Sequence, residues 1–157
     1  MVIRMSDIRF FKIIELKQLL LFGLALVFTV LTAAVALAET SYNGNASAAA
    51  AFDLSQRQVL KLVDIRRPSE WRHTGVGRGA HKISMHQSGF VARMDALVNG
   101  DRSQPVALIC ARGHRSSNMK AKLNALGFTN VTNVSEGMLG SKFGPGWLRR
   151  KLPLNHN

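Results

Sequence analysis

The segment Cys110-Ala111-Arg112-Gly113-His114-Arg115-Ser116 places the single cysteine of a 157-residue chain beside two arginines, a histidine and a glycine. A thiol acts as a nucleophile through its thiolate, and nearby positive charge and inward-pointing N–H groups favour that form. Arg112 and Arg115 supply permanent charge, while Gly113 permits a tight backbone path. If the segment joins the end of a strand to the start of a helix, its N–H groups and the positive end of the helix dipole converge on one point. The same groups would hold an incoming anion beside the sulfur. His114 is a candidate proton donor or substrate contact, or simply a solvent-facing side chain. The competing reading for Cys110 is a buried, inert cysteine, the common fate of a lone thiol.

The flanking residues supply the elements this chemistry needs. Residues 105–110 (PVALIC) form an apolar run of strand length. Residues 116–126 put Met119, Leu123 and Leu126 on one helical face, with Ser116 as N-cap and Gly127 just past the end. Upstream, residues 59–65 (VLKLVDI) read as a buried strand stopped by Arg66-Arg67-Pro68, and PSEWR opens a helical turn with Pro68 in first position. Residues 81–85 (HKISM) read as a short strand, and residues 89–98 as a helix carrying Val91, Met94, Leu97 and Val98. Residues 130–136 (NVTNVSE) form a last strand, followed by a glycine-broken tail in which Trp147 packs the end of the domain. This alternation predicts an α/β fold: a small parallel β-sheet flanked by helices, joined by right-handed crossovers. Ligands of such sheets sit beyond the C-terminal ends of the strands, where Cys110 falls.

Four segments in this order resemble those of the rhodanese-like sulfurtransferases. LVDIRRPSEW resembles the family's Asp-x-Arg-x-x-x-Glu-Trp/Tyr strand and turn, PVALIC its strand into the loop, CARGHRSS its Cys-x-x-Gly-x-Arg-Ser loop, and LGFTNVTNVSEGM its Gly-Phe-x-x-Val segment. The resemblance spans about residues 58–152 and implies a single rhodanese-like domain, set here at residues 52–157. It further implies that Cys110 takes sulfane sulfur from thiosulfate or a related anionic donor as a persulfide and passes it to cyanide or a thiol. Ala111, Arg112, Gly113, His114, Arg115 and Ser116 would cradle that persulfide and bind the donor, and Asp64 and Arg66 would form a structural pair at the base of the loop. Glu70 and Trp71 are expected to pack the turn. The family's usual Gly-His-Ile-Pro-Gly-Ala stretch stands here as GVGRGAHKI, and FDLSQRQ leaves little room for a helix ahead of the Asp-x-Arg strand.

The same residues bear on two other classes. A protein tyrosine phosphatase loop has the spacing Cys-x5-Arg, whereas Arg115 follows Cys110 after four residues and Ser116 occupies the phosphatase position. Phosphate is larger than a sulfur atom and needs the wider cradle. A non-catalytic module of the same fold, binding a partner or sensing redox state through a free thiol, is the alternative from outside enzymology. No metal is expected, because His73, His81 and His86 have no second cysteine to complete a ligand set. GVGRG lacks the G-x-G-x-x-G spacing, and no cofactor is expected.

The N-terminus reads as an address. Arg4, Arg9, Lys12 and Lys17 stand against Asp7 and Glu15, an uncharged run follows from Leu19 to Ala38, and Ala36-Leu37-Ala38 has the small-x-small form of a cleavage site. A signal peptide ending at Ala38 and an uncleaved membrane anchor formed by residues 19–38 both fit, and both put the remainder outside the cytoplasm, in a periplasm or facing it. Residues 39–51 (ETSYNGNASAAAA) read as a flexible tether. Without residues 1–38 the chain keeps 17 basic and 7 acidic residues, a net charge of +10 against +12 for the whole. Such a surface attracts anions. Nucleic acid is disfavoured because aromatic and basic residues are not interleaved. One cysteine precludes an internal disulfide, so a persulfide on it would need an external acceptor.

Overall fold

The computed structural model describes residues 44–155. The address in residues 1–38 and the first part of the tether, residues 39–43, lie outside the described residues. Along the chain run strand β1 (Asn45–Ala46), helix α1 (Ala48–Gln56), strand β2 (Lys61–Asp64), helix α2 (Pro68–Thr74), strands β3 (Val76–Gly77) and β4 (His81–Lys82) and helix α3 (Phe90–Leu97). Strand β5 (Val106–Ile109), helix α4 (His114–Ala125), strand β6 (Val131–Val134), helix α5 (Gly146–Arg149) and strand β7 (Leu154–Asn155) complete it. Five strands form a parallel sheet in the order β1-β6-β5-β2-β4, with Val63 opposite Leu108 and Val106 opposite Val131. A separate antiparallel pair, β3 with β7, ties the end of the described chain back to the domain.

Strands covered on both faces are apolar at every position, and that explains the unbroken VALI of β5, buried throughout. Val106 and Leu108 point to one face, where they pack with Val63, Met94, Val98, Leu123 and Phe128 under α3 and α4. Ala107 and Ile109 point to the other, where they meet Ala48, Ala51, Leu62, Met138 and Trp147 under α1 and α5. The expected α/β architecture is therefore the observed one, with a helical layer on each side. Among the described residues no helix is long and apolar enough to cross a membrane.

The tether is corrected over residues 45–51. Ser47 caps α1, its hydroxyl oxygen accepting from the Ala50 N–H at 3.1 Å, and the alanines that follow are strong helix formers whose small side chains let α1 lie close on the sheet. Asn45 and Ala46 extend the sheet beside Asn133 and Val134. The helix expected to be short or absent before the Asp-x-Arg strand is therefore a full nine residues. The glycine-broken tail is also ordered around Trp147, which is fully buried, meets Phe52 edge to face at 5.5 Å and donates its indole N–H to Pro153 O at 3.0 Å. A side chain at Gly77 would fall 2.6 Å from that ring.

Trp147→Ala is expected to lower the unfolding free energy by about 3–5 kcal/mol in urea denaturation. Phe143→Ala, at a position 61% exposed, should stay within about 0.5 kcal/mol of wild type.

Candidate active site

The connections leaving β2 and β5 run in opposite directions, to β4 on one side and β6 on the other, so these neighbouring strands mark the switch point of the sheet. Ligands of open parallel sheets bind at such a point, beyond the C-terminal ends of the strands. Cys110 follows β5 at this point, and Arg66, Arg67 and Glu70 follow β2. Chain segments distant in sequence thus converge on the cysteine.

Cys110 is 1% exposed, buried just past the end of β5. Its Sγ stands 3.3 Å from the hydroxyl oxygen of Ser116, which also lies 3.1 Å from Gly113 O; the single hydroxyl proton serves one of these acceptors at a time. The sulfur therefore sits over the first turn of α4. Ser116 is corrected from N-cap to third residue of the helix: the N-cap is Gly113, in the left-handed conformation at φ 85°. A Cβ at Gly113 would stand 2.2 Å from Ser135 O, so only glycine permits this approach. Among the described residues the first helix N–H with a main-chain acceptor is that of Ser117, which donates to Gly113 O, and the N–H groups of residues 111–116 have none. These are the orphan donors of a helix start, extended backward through the loop. From behind, Met138 N–H donates to Cys110 O and Leu139 N–H to Ala111 O, at 2.9 and 2.8 Å, which fixes the loop against the segment after β6.

Arg115 does not project freely. Its two terminal nitrogens donate to the two carboxylate oxygens of Glu70 at 2.8 and 2.6 Å. Glu70 is the third residue of α2, and its Oε2 also accepts from the Arg67 N–H at 3.0 Å, so one carboxylate caps a helix and grips the loop arginine. The bond from Arg115, opposed by partial burial and aided by the Arg67 N–H, brings Glu70 down to about 2. Arg115 is raised above its ordinary value in turn, first by Glu70 and further by the facing Cys110 sulfur. Arg112 is exposed, with Nη1 3.4 Å from Gly140 O, and His114 is exposed at the first helical position. His86 belongs to the same mouth: desolvation, then the charges of Arg67 and Arg115, hold its imidazole below its ordinary value.

Asp64 and Arg66 are fully enclosed, with side chains 0% and 1% exposed, and their closest approach is 2.6 Å. Arg66 also donates to Thr74 Oγ1 and Gly75 O, so the pair binds the end of β2 to the far end of α2. It braces the element that carries Glu70 and does not touch the sulfur loop in the hydrogen bonds it makes. Sequence reasoning missed Glu70, which it assigned to packing of the turn. The local signal was a helix-capping acid three residues after Arg67; its partner lies 45 residues away and becomes visible only once β2 and β5 are adjacent.

A carboxylate held at about 2 when folded and near 4.5 otherwise stabilises the fold above the higher value and loses that contribution as pH falls toward the lower. The stability gap between wild type and Glu70→Gln, measured by urea denaturation, should be level down to about pH 5.5 and shrink from about pH 4.5 downward. A gap that stays level to about pH 3 would show that the ion pair does not bear on stability.

The profile of the rhodanese-like domain matches residues 47–142 of this chain. The uncharacterized protein RP600 homolog of Rickettsia rickettsii is 26% identical over 98 residues, which cover 59% of this chain and 80% of that protein. The crystal structure of Rv0390 from M. tuberculosis superposes with a TM-score of 0.54 at 27% identity, over 74% of this chain and 100% of that one. The solution structure of the polysulfide-sulfur transferase homodimer from Wolinella succinogenes shares the fold at a TM-score of 0.52 and 20% identity, over 82% of this chain and 89% of that one. The matched region takes in β2 with its buried ion pair, the Cys110 loop and the segment that backs it, and on this ground the chain belongs to the rhodanese-like domain family.

Proposed function

We propose that this protein is a sulfurtransferase that carries sulfane sulfur on Cys110, from thiosulfate or a related anionic donor to cyanide or a thiol. The observation that carries the reading is the Cys110 sulfur at the first turn of α4, facing a loop whose N–H groups from Ala111 to Ser116 have no main-chain acceptor. The polysulfide-sulfur transferase activity named for the Wolinella protein of the same fold agrees with it.

In the first half-reaction the Cys110 thiolate attacks the outer sulfur of thiosulfate. A bond forms between Sγ and that sulfur, the donor's S–S bond breaks, and sulfite departs with the electron pair. The product is a persulfide anion, and several preorganised N–H donors around a buried sulfur stabilise it without offering a base that would compete for the sulfur. Arg115 has five N–H donors, and the two bonds to Glu70 leave the rest free for the sulfur and the donor's oxygens. Arg112 and His114 would line the approach. In the second half-reaction an acceptor such as cyanide attacks the outer sulfur, leaves as thiocyanate and returns Cys110 as thiolate. With one cysteine in the chain, the persulfide is relieved only by an external acceptor. The basic, apolar residues 1–38 support export, so the donor and acceptor would be met outside the cytoplasm.

Incubating the purified protein with thiosulfate should add the mass of one sulfur atom, and cyanide should remove it as thiocyanate; Cys110→Ser should show neither. An unmodified wild-type mass would assign the chain to the non-catalytic binding modules of this fold. Arg115→Ala should lower kcat/KM for thiosulfate by about 10- to 100-fold, the value of one or two charge-assisted bonds. Lys120→Ala, whose ammonium donates to Gly44 O, should stay within about twofold. Equal losses would make general surface charge the driver.

A further inference from the structure

The segment that backs the cysteine loop also forms its outer rim, and the rim is apolar and cationic together. Leu139, whose N–H donates to Ala111 O, is 36% exposed, and Phe143 is 61% exposed. Phe143 lies in a tight turn closed by a bridge between Ser141 and Gly144; its N–H donates to Ser141 Oγ, and Ser141 Oγ in turn donates to Ser135 O, the carbonyl pressed against Gly113. The turn is therefore built onto the same backbone that shapes the sulfur loop. The Lys142 ammonium stands 5.2 Å from the centre of the Phe143 ring, Arg112 reaches Gly140 O, and Arg149 packs beside Gly140 while donating to Pro145 O. The two exposed apolar side chains thus have three cations around them.

The acidic side chains among the described residues are already engaged. Of the six acidic side chains among the described residues, Asp53, Asp64, Glu70, Asp95 and Glu136 are each paired with an arginine, and Asp101 bonds to Ser103 at a distance from this rim in sequence. Glu136 does reach this turn, its Oε1 2.5 Å from where a Cβ at Gly144 would stand, but it is buried and its charge is taken up by Arg150 and the Gly146 N–H. A small anion is already served by the loop itself and gains nothing from an exposed phenyl ring. A polypeptide with apolar side chains between acidic ones would cover both features at once.

We infer that residues 139–144, with Arg112 and Arg149, dock an acidic, apolar segment of a partner protein whose cysteine thiol is the sulfur acceptor. This rests on the sulfurtransferase reading. The partner's thiolate attacks the outer sulfur of the Cys110 persulfide anion; the new S–S bond forms on the partner, the bond to Sγ breaks, and Cys110 leaves as thiolate while the transferred sulfur keeps its negative charge as the partner's persulfide. No oxidant or reductant is consumed. The outer sulfur stands about 2 Å beyond Sγ, which lessens the depth a tethered thiol must reach.

The test compares two synthetic peptides that differ only in whether a central cysteine is flanked by leucine and glutamate or by leucine and lysine, with cyanide as a third acceptor. Wild type should favour the glutamate peptide by about tenfold in kcat/KM, and added salt should narrow the gap. The double substitution Lys142→Glu with Phe143→Ser should abolish the preference and leave both cyanide turnover and the urea midpoint unchanged. Normal cyanide turnover with equal peptide rates would overturn the docking surface alone, whereas no turnover with cyanide would overturn the sulfurtransferase reading and the surface with it. Equal peptide rates together with Phe143-dependent sedimentation on phosphatidylglycerol vesicles would reassign the rim to a lipid face.

Discussion

The absence of room for a side chain at Gly113 is the constraint on which the site depends. With Ser135 O only 2.2 Å from where a Cβ would stand, the loop lies directly against the chain leaving β6. Gly137 mirrors it, since a Cβ there would fall 2.5 Å from Ala111 O. Two glycines at positive φ thus let two backbones touch. The contact turns the chain sharply enough for α4 to begin within a few residues of Cys110, and that places the sulfur at the helix start rather than beside its flank. A bulkier residue at either position would move the loop, and with it the ring of N–H groups.

Charge is arranged around this backbone in two tiers. The buried pair of Asp64 and Arg66 is satisfied within its own neighbourhood and holds β2 to α2. Replacing a single partner of such a pair leaves an uncompensated charge and is costly, which suits a bracing role better than a chemical one. Glu70 then extends from α2 across the switch point to Arg115. The carboxylate restrains a flexible arginine beside the sulfur while leaving part of its guanidinium unused. It lowers the net charge at the mouth without removing the donors. The excess of basic residues elsewhere leaves the surface attractive to anions.

Much of this was legible in the sequence because it is written in local patterns. The apolar run of β5, the stripe of Met119 and Leu123 on α4, and the spacing of Cys110, Gly113 and Arg115 announce a strand, a helix and the tight loop between them. Ser116 was misread because a serine before a helical stripe suits a cap, whereas a left-handed glycine three residues earlier starts the helix sooner. Residues 45–51 were misread because alanine and small polar residues serve a linker and a closely packed helix equally well; burial against Leu62 and Trp147 decides between them. The link from Glu70 to Arg115 could not be read from either local sequence. It is a product of strand order, which puts β2 beside β5.

Contact between the loop N–H groups and the sulfur carried by Cys110 is read by amide NMR of the uniformly labelled protein before and after one equivalent of thiosulfate, and again after cyanide. Downfield movement of amide protons within residues 111–116, reversed by cyanide, is the predicted result. Persulfide formation that leaves those amides in place, or moves only resonances remote from the loop, would contradict it.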